Sequence, residues 1–236
     1  MFYVWMASAF ILIAFGGFIP TYWAKLANGT FPGNPITHIH GAFFFTWTLF
    51  YFAQTSLVAS GRVANHRNWG LVGISLASVM CCTVVLAEIN SIKVAEHINM
   101  GDQARRFLIV SFSALVTFAT FFTLAIVNNR RSEVHKRLMI LAMIPLMQAA
   151  VARIFKTLVA PDAVGPPPVF VSVPPGFIVD LLVVVAMLYD WRTRGRPHPV
   201  YVAGLPALVL IQVLVVPIST TSVWMSVARG IEGLAG

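Results

Sequence analysis

The chain predicts an all-α fold, a bundle of seven transmembrane helices. Of its 236 residues, 58% are hydrophobic and only 10% are charged. Apolar stretches of bilayer-spanning length recur along the whole sequence. A helix rises about 1.5 Å per residue, so about 20 apolar residues cross a hydrocarbon core about 30 Å thick. Nearly all charged residues fall between these stretches.

Seven segments meet the requirement, approximately 2–22, 40–60, 69–87, 107–127, 138–159, 170–189 and 200–223. The first lacks a basic leader and a small-residue cleavage site, and Pro20, Tyr22 and Trp23 close it as a membrane interface does; it reads as a retained helix. The second opens at His40 and carries Phe43, Phe44, Phe45, Trp47, Phe50, Tyr51 and Phe52 all around its axis. That distribution suits lipid contact and helix packing, or the flank of a quinone or porphyrin. The third holds adjacent Cys81 and Cys82, which a mutual bridge would strain, so they read as packing thiols. A polar loop from Glu88 to Arg106 is expected before the fourth segment, with Gly101 interrupting any helix there. The fifth contains Arg153 and the sixth Asp180. A charge in hydrocarbon is costly unless it is paired or faces a cavity, so an intramembrane ion pair between these two is the simplest expectation. Between them, Pro166–Pro168 and Pro174–Pro175 predict a stiff extended loop over 160–176. Pro206 and Pro217 are expected to kink the seventh segment, and Pro145 the fifth. The whole chain, 1–236, reads as a single integral membrane domain without repeats.

Basic residues orient the bundle. One set of loops holds Arg62, Arg67, Arg130, Arg131, Lys136, Arg137, Arg192, Arg194 and Arg196 against Glu133 and Asp190. The other mixes Lys25, Lys93, Arg105, Arg106 and Lys156 with Glu88, Glu96, Asp102 and Asp162. The positive-inside rule makes the first set cytoplasmic, with the N-terminus inside and the C-terminus outside. The net charge of +8 is then mainly a cytoplasmic collar that suits anionic lipids as partners, and no nucleic acid.

All six histidines sit at the ends of the apolar segments: His38, His40 and His97 on the expected outer side, His66, His135 and His198 on the inner. His40 with His97, and His66 with His135, are spaced as two ligand pairs near opposite membrane faces. That is the requirement for haem b held by neutral imidazoles and for electron transfer across the membrane. Arg67 and Arg137 adjoin the inner pair and suit haem propionates. A second arrangement places a transition metal at the outer face on His38, His40 and His97 with Glu88 or Glu96. It requires an extended segment, because in a helix His38 and His40 diverge by roughly 200 degrees. The plain alternative is that these imidazoles meet headgroups and helix ends.

Paired-cysteine metal motifs, Gly-rich phosphate loops, Gly-x-Ser-x-Gly elbows and His-Glu-x-x-His are missing from the sequence, and the seventh segment has no lysine for a retinal Schiff base. No catalytic residue is identified. The expectation is a membrane redox-type protein binding haem or a metal. The alternatives are an accessory subunit packed against other membrane subunits, or a small-molecule carrier lined by Arg153, Asp180, Gln54 and Gln148.

Three stretches carry a resemblance. They are His40-Gly41 through Trp47, Gln54 and Gly61-Arg62 to His66-Arg67 and Gly70; Asn129-Arg130-Arg131 through Glu133-Val134-His135-Lys136-Arg137 to Ala150 and Arg153; and Asp180 with Tyr189-Asp190, Arg194-Gly195-Arg196 and His198-Pro199. Together they resemble a group of bacterial multi-spanning membrane proteins without an assigned activity. The resemblance implies the bacterial cytoplasmic (inner) membrane and supplies no chemistry. In helix count and histidine placement the chain is also distantly similar to di-haem b-type membrane cytochromes, whose ligands lie deeper.

Overall fold

The structure, a computed structural model, describes residues 1–235. It is 85% helical, with no strand among the described residues. Seven helices are long and apolar enough to cross a membrane, so the chain is an integral membrane protein of the expected all-α class.

The main helices are α1 (Phe2–Gly17), α2 (Ala24–Ala27), α3 (Pro35–Ala59), α4 (Val63–Glu96) and α5 (Gly101–Val127). They are followed by α6 (Ser132–Val159), α7 (Val173–Arg194), α8 (Pro199–Ile218) and α9 (Ser222–Glu232). By contact the chain divides into two compact units, Met1–Asn90 and Ser91–Gly236, whereas the sequence reads as one domain.

In the first unit α1 packs on α3. Phe10 is fully buried and meets Tyr51 edge-on at 5.8 Å. After α1 the chain makes a π-helical turn, Ile19–Trp23, with Pro20 at its start. Proline has no N–H to donate and displaces the regular ladder. Gly61, with φ +76°, makes the turn from α3 into α4, a conformation open to glycine without a Cβ penalty.

In the second unit α6 is the central element: 61% of its most apolar window is buried, against 28% to 44% for the windows of α5, α7 and α8. It packs on α5 and α7, and α7 packs on α8. A further cluster of Ile92, Ala95, Ala104, Leu108, Ile109, Val169, Val215, Trp224 and Ala228 joins the end of α4 and the start of α5 to α8 and α9.

Three boundaries differ from expectation. The loop expected over 88–106 is nearly all helical: α4 runs to Glu96 and α5 starts at Gly101, leaving a tight turn with Asn99 at φ +57°. Polar residues end a hydrophobic span without ending the helix, whose backbone bonds are satisfied internally. The proline-rich loop shortens in the same way, because Pro174 and Pro175 occupy the first turn of α7, where no N–H donor is required. The seventh segment ends earlier than expected, at Ile218, and α9 follows it after Thr221, whose side chain caps Trp224 N at 3.2 Å.

Candidate functional site

Three of the four histidines expected to hold haem share one arrangement at Nδ1. His135 stands one residue-quartet into α6, and its Nδ1 donates to the Ala125 carbonyl at 2.8 Å. His66, near the start of α4, places Nδ1 2.7 Å from Oε1 of Gln54 on α3. Gln54 is buried, and its role as an interhelical tie is the one its position suggests. His40 on α3 places Nδ1 3.4 Å from Oγ1 of Thr83 on α4. The Thr83 hydroxyl donates to the Met80 carbonyl at 2.7 Å, so its oxygen acts as acceptor toward the ring. In all three rings Nδ1 faces an oxygen that can accept a hydrogen bond from it. Phe44 packs on the His40 ring with centroids 4.6 Å apart.

The other histidines do different work. His97 lies exposed beyond α4, so it lacks the packing that fixes a ligand ring. His38 bonds the Tyr22 hydroxyl through Nδ1 at 2.9 Å and packs against Phe31. His198 caps α8 by accepting from Val200 N at 3.2 Å. Burial pushes its imidazole below the usual value, and the nearby Arg137 and Arg194 add to this while Asp190 and Glu133 oppose it.

Among the described residues there is no group of three or more His, Cys, Asp or Glu side chains able to hold a metal. The outer metal site expected on His38, His40, His97 and Glu88 is therefore corrected. His38 and His40 both lie inside α3, where two-residue spacing turns their side chains apart, and Glu88 lies within α4 instead of a loop.

The role expected of Arg137 is also corrected. It is 1% exposed and is consumed by protein acceptors. Its Nε donates to Asp190 Oδ2 at 2.8 Å, its Nη2 to Asp190 Oδ1, and its Nη1 to both the carbonyl and Oε2 of Glu133 at 2.7 and 2.8 Å. Its guanidinium lies 5.9 Å from the centroid of the Tyr201 ring. Glu133 also receives Lys136 and Arg194, and Asp190 Oδ2 receives the His198 N–H at 3.3 Å. This bidentate pair ties α6 to α7 and to the start of α8, leaving the exposed Arg67 as the cation beside a candidate ligand.

The ion pair expected between Arg153 and Asp180 does not form. Arg153 is exposed. Asp180 is 4% exposed and takes its hydrogen bond from Gln212 Nε2 at 3.3 Å. Gln148 donates instead to the Ser172 carbonyl at 2.8 Å. The sequence reading did not find the partnership of Asp180 with Gln212, or that of Arg137 with Asp190. The lone amide in α8 and the lone acid at the end of α7 were the available signals.

Comparison with known protein families, curated proteins and solved structures returns no match.

Proposed function

We propose that this chain is a membrane redox protein that binds haem b through histidines at its helix ends, with His40 and His66 the candidate ligands in the first unit and His135 the candidate in the second. The observation that supports the reading is the shared arrangement at Nδ1. An imidazole that ligates iron gives its other N–H to a carbonyl or similar acceptor, which fixes the tautomer, orients the ring and raises the basicity of the ligating nitrogen. Ala125, Gln54 and Thr83 supply that acceptor here. Haem, when bound, supplies one-electron chemistry whose potential depends on the axial ligands and their hydrogen bonds. The chain contributes ring orientation, an apolar surround that includes Phe44, and Arg67 as the cation for a propionate.

The test is the absorption spectrum of detergent-purified protein, oxidised and then reduced with dithionite, with metal analysis on the same sample. The expected result is a Soret band that sharpens on reduction and is lost or shifted in His66→Ala and His135→Ala. Gln54→Ala is expected to keep the haem and shift its midpoint potential. A colourless, metal-free protein from haem-replete cells refutes the proposal, and its co-purification with another membrane protein would favour the accessory-subunit reading.

A further inference from the structure

We propose that Asp180 and Gln212 form a proton-binding site within the second unit, in which the Asp180 carboxyl carries a proton on Oδ2 and pairs with the Gln212 amide. This site is separate from the histidines and does not rest on the haem reading.

Asp180 on α7 and Gln212 on α8 are 4% and 8% exposed. One bond joins them, from Gln212 Nε2 to Asp180 Oδ1 at 3.3 Å. The remaining oxygen of each side chain, Asp180 Oδ2 and Gln212 Oε1, is buried without a hydrogen-bond donor. Both are acceptors, so neither satisfies the other while the carboxyl is ionised. A buried unsatisfied acceptor is costly, and an ionised carboxylate in an apolar interior costs more. A single proton on Oδ2 removes both deficits. Oδ2 becomes a donor, Oε1 becomes its acceptor, and the two side chains close a cyclic acid–amide pair with the bond already present at Oδ1.

Among the described residues no ion pair involves Asp180, whose one hydrogen bond comes from Gln212. The charged groups on the elements packed against α7 are Glu133, Lys136, Arg137, Arg153 and Lys156 of α6, and α8 has none. Glu133, Lys136 and Arg137 are gathered around Asp190, ten residues and about 15 Å farther along α7. Arg153 is exposed.

The surroundings are shaped to hold the amide. Gly176 lies one turn before Asp180 on α7, and a Cβ there would stand 2.8 Å from Cδ and 2.9 Å from Oε1 of Gln212. Only a bare backbone admits the amide at this approach. Gln212 also lines a cavity of about 20 Å³, with Ser113 and Thr117 of α5, Gln148 of α6 and the apolar Ala114, Pro145, Leu208 and Ile211. A cavity of that size with polar side chains in its wall has room for one water molecule.

Infrared spectroscopy of the full-length protein in detergent or nanodiscs tests the proposal. A carboxylic C=O stretch that shifts in D2O is expected at neutral pH, absent in Asp180→Asn. In Gln212→Leu and Gly176→Ala the band is expected to remain but move, because the acid–amide pair is broken with the acid still present. If Asp180→Asn fails to fold, the displacement in these other two variants decides. The proposal is overturned if the band is absent from the wild type, survives Asp180→Asn, or is unmoved in both Gln212→Leu and Gly176→Ala. It is equally overturned if Asp180 gives a carboxylate band that responds to sodium chloride and not to choline chloride, which identifies a metal-cation site.

Discussion

Replacing Asp190 with alanine isolates the energetic weight of the charged cluster in the second unit. Asp190 is fully buried and Arg137 is 1% exposed. The substitution removes both hydrogen bonds from the guanidinium to the carboxylate and the acceptor of His198 N. Arg137 keeps Glu133, whose side chain is 44% exposed and so compensates less at the buried end. Leaving one charge of a buried pair without its partner costs about 3–5 kcal/mol. At about 2–4 °C per kcal/mol for a unit of this size, the thermal midpoint is expected to fall by roughly 6–20 °C. The assay is the fraction of folded, monodisperse protein in detergent against temperature, for Asp190→Ala, Arg137→Met and the double variant Arg137→Met/Asp190→Leu. The double variant should recover most of the loss, since a buried ion pair exchanged for apolar residues of similar size is often neutral. An Asp190→Ala midpoint within about 2 °C of wild type, or a double variant as unstable as the single ones, refutes the argument that an orphaned charge is the origin of the loss.

Protonation of His198 supplies a pH dependence of definite sign. Its folded-state value lies below the usual one of ~6.5, so as pH falls the unfolded chain binds the proton first. The stabilisation is complete above the unfolded value and is lost as pH descends toward the folded one. His198→Asn keeps a capping side chain without titrating, and is expected to flatten the stability profile of the wild type in that range; parallel profiles would exclude His198 as the origin. A second test concerns α9. Arg105 bonds Glu232 at 2.9 Å, Asp102 at 2.9 Å and Glu96, and its carbonyl accepts Trp224 Nε1 at 3.0 Å. Arg105→Ala is expected to speed hydrogen exchange and proteolysis across 222–232 while leaving α6 protected, and unchanged exchange in α9 would show that Trp224 and Ala228 hold the helix unaided.

Hydropathy made all seven spans legible, since whether a segment crosses a bilayer depends on the summed transfer free energy of its own residues. The helix ends were less legible. The polar run from Glu88 to Glu96 continues α4 as helix, and Pro174 and Pro175 start α7 where an extended loop was expected. Leaving the hydrocarbon and leaving the helix are separate events. The histidines were legible as a set, because only six occur and each sits at a segment end. Their individual roles were not: His135, His66 and His40 gain an acceptor at Nδ1, His198 becomes a cap, and His97 is left exposed.

Composition and periodicity were sufficient for membrane residence, helical class and span count, all of which follow from single-segment properties. Partnership belongs to the tertiary structure. Asp180 was expected to meet Arg153 on the neighbouring α6, yet it meets Gln212 on α8, and Arg137 spends its charge on Asp190 instead of facing outward. A helix of 3.6 residues per turn directs each side chain along one bearing. Which group it finds there depends on the rotation and approach of the neighbouring helices, which arise only when the whole bundle packs.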